Sequence, residues 1–177
     1  MPRFPAIALA DKRHHLADEY RHQRIGAGDA EVYLNTATVY WDYFQYEDAL
    51  RVLRALRRQK GDAALHAFQI AALLETQHKR AEALAEYVKA LPEDAPDSWR
   101  ARQRLQTLLK REGVPAQLHA AFQRELGRAS DREALALGYV SLLDGVERWP
   151  DAAAVLRREI VRSRSQEFLD TARDLFR

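Results

Sequence analysis

Two histidines and a glutamate, His15, Glu19 and His22, stand at spacings of four and three near the start of the chain, so on a helix they share one face. Imidazole and carboxylate ligands on such a face can coordinate a divalent metal. A closed site needs ligands from a second element, and the sequence shows no helix to supply them, which makes a solvated helix face the default reading. His66, His78 and His119 are isolated, and the order of residues suggests no Ser, His and acid set for nucleophilic catalysis. With only 7 Gly the chain has no glycine-rich phosphate loop. Nothing here looks catalytic, so the expectation is a protein that is not an enzyme and needs no cofactor or metal.

Charge gives a second candidate chemistry. Arg51, Arg54, Arg57, Arg58 and Lys60 cluster in one segment, Arg157, Arg158, Arg162 and Arg164 in another, and Arg51, Arg54 and Arg58 fall on one helical face. Such faces can meet nucleic acid or an anionic glycan, with an affinity that drops steeply with salt. Acids are interspersed throughout, however, and 28 Lys and Arg against 26 Asp and Glu leave a net charge of only +2. A solvated face is the simpler reading, and nucleic acid is disfavoured as a partner.

The absence of Cys excludes a disulfide framework and a thiolate metal site, and fits a cytoplasmic or an exported protein equally. Met1 to Ala10 has no apolar run long enough for a signal sequence, and no later stretch approaches the roughly 18 apolar residues of a membrane span. The expectation is a soluble chain without a membrane span. With 47% apolar and 31% charged residues it has a globular composition.

The elements that would position these residues are helices, and they repeat. Ala49, Leu53 and Leu56 are answered by Ala83, Tyr87 and Ala90, each pair 34 positions apart (83 − 49, 87 − 53, 90 − 56). Upstream, Tyr33, Ala37, Tyr40 and Phe44 are spaced 4, 3 and 4, and Ala67, Ala71 and Leu74 begin with the same 4 and 3. A period of this length signifies a solenoid of stacked helix pairs, each of which needs its neighbour to bury its apolar face.

In chain order, residues 1–29 are read as an N-terminal capping helix, with Ala6, Leu9, Leu16 and Tyr20 on one stripe and a break at Gly26-Ala27-Gly28-Asp29. Residues 30–63 form the first hairpin and 64–96 the second, which ends at Pro92 and Pro96. Residues 97–129 form a fainter third, turning at Glu112-Gly113-Val114-Pro115, and 130–164 a fourth. Ser130 and Glu133 are read there as a capping box, and Pro150 as opening the last helix of the pair. Residues 165–177 add one amphipathic helix bearing Phe168, Leu169, Ala172, Leu175 and Phe176, giving about ten helices and no strand.

The large, small and aromatic residues at Tyr33, Ala37 and Tyr40, followed by Ala49, Leu53 and Leu56, resemble the tetratricopeptide repeat (TPR). Ala67, Ile70, Ala71, Leu74, Ala83, Tyr87, Ala90 and the following proline resemble it again. Tyr33 and Ala67 stand where the family has a tryptophan. The resemblance implies an all-α, right-handed superhelix of antiparallel helix pairs, in which small residues at Ala37, Ala49, Ala71 and Ala83 let paired helices approach.

It also implies that the first helix of each pair lines a concave wall receiving a peptide or helix of another protein. The implied wall carries Leu34, Asn35, Thr38, Trp41 and Asp42, then Phe68, Gln69, Ala72 and Glu75, then Arg102, Gln103 and Gln106. Exposed aromatic and amide side chains suit such a groove, although Trp41 packing on the N-terminal helix is an equal alternative. Asn35 matches one residue of the carboxylate clamp found in chaperone-binding members, but Leu34 and Gln69 replace its Lys and Asn, so that partner class is not expected. The function expected is a non-catalytic protein-interaction scaffold. The alternatives are an excised segment of a larger exported, periplasmic bacterial scaffold for polysaccharide or envelope assembly, suggested by the apolar final helix, and polyanion or glycan binding through the arginine faces. Partner, oligomeric state and compartment stay open.

Overall fold

The structure, a computed structural model, describes residues 30–113, 115–163 and 165–174. Among them all regular structure is helical, in nine helices. These are α1 (Ala30–Asp42), α2 (Tyr46–Lys60), α3 (Ala67–Thr76), α4 (Arg80–Lys89), α5 (Ser98–Glu112), α6 (Ala116–Leu126), α7 (Arg132–Asp144), α8 (Trp149–Ile160) and α9 (Gln166–Asp174). The expected capping helix in residues 1–29, with its His15, Glu19 and His22 face, lies outside the described residues. The chain divides into two compact units, one ending at Ala63 and one beginning at Ala64.

In the first unit α1 packs against α2. Glu47 and Asp48 in the first turn of α2 and Arg57, Arg58 and Lys60 in its last complement the helix dipole. Gly61, at φ 67°, ends it by donating its N–H to the Arg58 carbonyl. Ala37 and Tyr40 of α1 and Ala49, Leu50, Leu53 and Leu56 of α2 are buried. Each such leucine contributes about 1.5–3 kcal/mol by leaving water.

The second unit is arranged around α4. This helix is buried at every position from Ala83 to Val88, Glu86 included, because α3 covers it on one side and α6 on another, with α5 and α7 also in contact. A helix buried on all sides is an interior helix. The fourth hairpin, α7 with α8, also reaches α4: a Cβ placed on Gly138 would stand 2.3 Å from the Leu91 carbonyl oxygen. In a regular repeat array a hairpin touches only its neighbours, so this contact skips one.

The turns inside hairpins repeat closely. Phe44, His78 and Glu147 each adopt a left-handed conformation, at φ 60°, 59° and 60°. Each donates its N–H to the carbonyl three residues back (Trp41, Glu75, Asp144), and the next residue donates to the carbonyl five back (Tyr40, Leu74, Leu143). Two orphan carbonyls at the helix end are thereby satisfied. The following helix begins two residues later, and its fourth residue is a buried alanine: Ala49, Ala83 and Ala152 are 0%, 3% and 2% exposed. Between α5 and α6 the chain turns differently, through Gly113 at φ 73° and Pro115.

Two local readings change. The cap of α7 is Asp131, whose carboxylate accepts from the Ala134 N–H at 2.8 Å, and Glu133 instead accepts a hydrogen bond from the Ser163 hydroxyl. Asp131 has the shorter reach to a first-turn amide, so the Ser130 and Glu133 capping box does not form. Pro150 is the second residue of α8, after Trp149. In α9 Phe168 and Ala172 are buried, and Ser165 caps the helix by accepting from the Phe168 N–H at 3.2 Å.

Candidate functional site

On α1 the face implied by the resemblance is open. Asn35, Thr38 and Asp42 are exposed, and Leu34 and Trp41 are half-buried beside them. The Thr38 hydroxyl turns back to donate to the Leu34 carbonyl at 2.9 Å. The surface offers amide and carboxylate groups next to an indole, able to bond a backbone while covering apolar area.

On α3 and α5 the corresponding residues are largely engaged within the second unit. Phe68 lies against Tyr87 of α4, ring centroids 5.9 Å apart and planes tilted by 52°. The Gln69 amide donates to the Asp97 carboxylate at 2.7 Å, tying α3 to the residue before α5. Asp97 itself is left-handed at φ 60°. Gln106 packs on Gly145, whose missing Cβ would stand 2.3 Å from its amide nitrogen. Ala72 and Arg102 are half-buried, with the Arg102 Nε lacking a hydrogen-bond partner, and Gln103 is exposed.

Glu75 is the most heavily used of these residues. Arg104 of α5 grips its carboxylate through Nε at 3.0 Å and through a terminal nitrogen, and the Tyr87 hydroxyl donates to it at 2.9 Å. Burial pushes the Glu75 carboxyl up, but the hydrogen bonds from Arg104 and Tyr87 and the charges of Arg104 and Arg80 outweigh it and hold it below its ordinary value. Burial first, then the bond to Glu75, pushes the Tyr87 phenol well above its ordinary range. The hydrogen bond to Glu75 raises Arg104 in turn, against the opposing effect of burial. The group is therefore a carboxylate, a guanidinium and a neutral phenol at neutral pH.

These three residues line a cleft of about 320 Å³ with His78, the Arg80 and Glu112 ion pair, and Leu108. Glu75 is paired with Arg104 and Glu112 with Arg80, and Arg111 adds a further cation to the lining. Tyr87, Arg104 and Asp97 were not anticipated as partners of the implied face. One signal did exist: Glu75 is the only charged residue in α3, and a lone acid in an apolar helix calls for a cation.

The first arginine cluster is partly compensated, Arg51 bonding Asp48 at 2.8 Å. In the second, Arg162 lies 3.6 Å from Glu159, and Arg164 is outside the described residues. No described helix is long and apolar enough to cross a membrane. Compared with protein-family models, curated proteins and solved structures, the chain matches none.

Proposed function

We propose that the chain is a right-handed superhelix of TPR-type hairpins and acts as a non-catalytic scaffold, binding a peptide or helix of another protein on the faces of its first helices. The observation that carries this reading is the recurrence of one joint. Phe44, His78 and Glu147 make the same left-handed turn, each followed by a buried alanine at the same distance. Three hairpins built on one plan are what a repeat scaffold requires.

The engagement of Gln69, Glu75, Phe68 and Gln106 within the second unit favours a particular part of the implied wall. Asn35, Thr38, Trp41 and Asp42 on α1, and Gln103 on α5, are the side chains left to meet a partner. Trp41 is the natural anchor, because a half-buried indole gains contact area at small entropic cost.

The test is capture of partners by the immobilised chain, with Asn35→Ala/Trp41→Ala as comparison. Recovery of the specific partner falls about tenfold or more in the variant if the α1 face is the site. Unchanged recovery, with the helical circular dichroism intact, rejects it.

A further inference from the structure

Tyr139 of α7 is 1% exposed, and its ring stacks on Phe122 of α6 at 4.0 Å between centroids with planes 13° apart. Its hydroxyl is buried and has no hydrogen-bond partner. A buried hydroxyl without a partner costs about 1–3 kcal/mol, and phenylalanine would make the same stack without that cost. A group outside the fold would supply the acceptor that this hydroxyl lacks.

The residue lines a cleft of about 260 Å³ among α6, α7 and α8, shared with His119, Leu143, Arg148, Asp151 and Arg158. Burial, then the charge of Asp151, pushes the phenol upward while Arg148 draws it back, so it remains a proton donor at neutral pH. Arg148 and Asp151 hold each other at 2.6 Å and 2.8 Å and cancel. Arg158 lies two helical turns beyond Asp151 on α8 and adds a cation without a counter-charge among the described residues. One donor and one surplus positive charge suit a singly charged anion, and a dianion would be opposed by Asp151. Pro115, Ala116, Leu143 and Val155 make the remaining wall apolar.

We propose that this cleft binds one carboxylate carried on a compact apolar body, the Tyr139 hydroxyl donating to one oxygen and the Arg158 guanidinium to the other. The source is either a free hydrophobic acid or the C-terminal residue of a peptide. None of these residues belongs to the α1, α3 or α5 faces, so this site and the scaffold reading stand or fall separately.

The full chain is titrated calorimetrically with 4-methylpentanoate and with an acetylated tripeptide ending in leucine, each beside its amide. Binding of an acid but not its amide supports the proposal, and the acid that binds identifies the source. Tyr139→Phe weakens that binding about tenfold or more, the loss of a charge-assisted hydrogen bond, without lowering the melting temperature of the free chain. Arg158→Gln, a change at an exposed residue, weakens it likewise and decides the matter alone should the first variant lose its helical signal. Equal binding of acid and amide, wild-type affinity in the folded Tyr139→Phe chain, or no binding of either acid up to about 10 mM overturns it.

Discussion

Gly138 of α7 faces the Leu91 carbonyl just past the end of α4, so closely that a Cβ on Gly138 would lie 2.3 Å from that oxygen and 2.7 Å from its carbon. The obstacle is main chain, and it cannot swing aside as a side-chain tip does. Gly138→Ala is expected to destabilise the second unit by about 1–3 kcal/mol, the usual range for overpacking. Gly145→Ala is the control, since there the nearest atom is the movable end of Gln106. Urea unfolding followed by circular dichroism should show a clear drop in midpoint for the first and a small one for the second.

The Arg132 guanidinium reaches Glu159 through two nitrogens, at 2.6 Å and 3.0 Å, and also donates to the Leu126 carbonyl at 3.2 Å. Glu159 is 3% exposed, and its bond to Arg132 raises the guanidinium's pKa. Arg132→Met leaves a buried carboxylate with only the more distant Arg162, and should cost about 3 kcal/mol. The double variant Arg132→Met/Glu159→Leu should regain most of that loss. Equal stability of single and double variants in urea would refute the pairing argument.

Glu75 links acid stability to the contact between α3 and α5. Its folded pKa is depressed, so the unfolded chain takes up its proton first as pH falls. The stabilisation is present above the unfolded value, about 4.3 for a free Glu, and is lost as pH drops through the lower folded value. Because the pair is partly exposed, its contribution is about 1 kcal/mol or less. Glu75→Gln should flatten the stability profile in that acid window and leave its shape near neutrality unchanged.

Tyr87 acts at the opposite limit. Its folded pKa is raised, so the unfolded chain loses the phenolic proton first as pH rises. Stability is intact below about pH 10, the free tyrosine value, and declines above it. Tyr87→Phe should weaken that alkaline decline, measured by melting between pH 9 and pH 11, the interval about the free phenol value.

A non-glycine residue in the left-handed region is strained by about 1 kcal/mol. His78→Gly, at φ 59° in an exposed turn, should therefore stabilise the second unit by about 0.5–1 kcal/mol. A fall in the urea midpoint would show instead that the His78 side chain holds the turn.

Much of the helical architecture could be read from side-chain spacing, because Ala49 with Leu53 and Ala83 with Tyr87 mark buried faces that helical periodicity makes visible. The joints were less legible. Phe44, His78 and Glu147 share no chemistry, and their common φ is imposed by carbonyls at a helix end, which leaves no residue-type signature. The wall implied by the resemblance was legible as helix faces only. That Glu75 is gripped by Arg104, 29 positions later, and Gln69 by Asp97 depends on how α3 meets α5, which no local pattern encodes. At Ser130 two adjacent residues competed for one cap, and the difference was one of reach.

The shared left-handed joint bears on which substitutions such a chain tolerates. Because the bend is held by amides and carbonyls common to every residue, a phenylalanine, a histidine or a glutamate can occupy its centre without unlocking it. A substitution at the centre of any of the three joints can therefore change its chemistry while the chain still folds back at the same place.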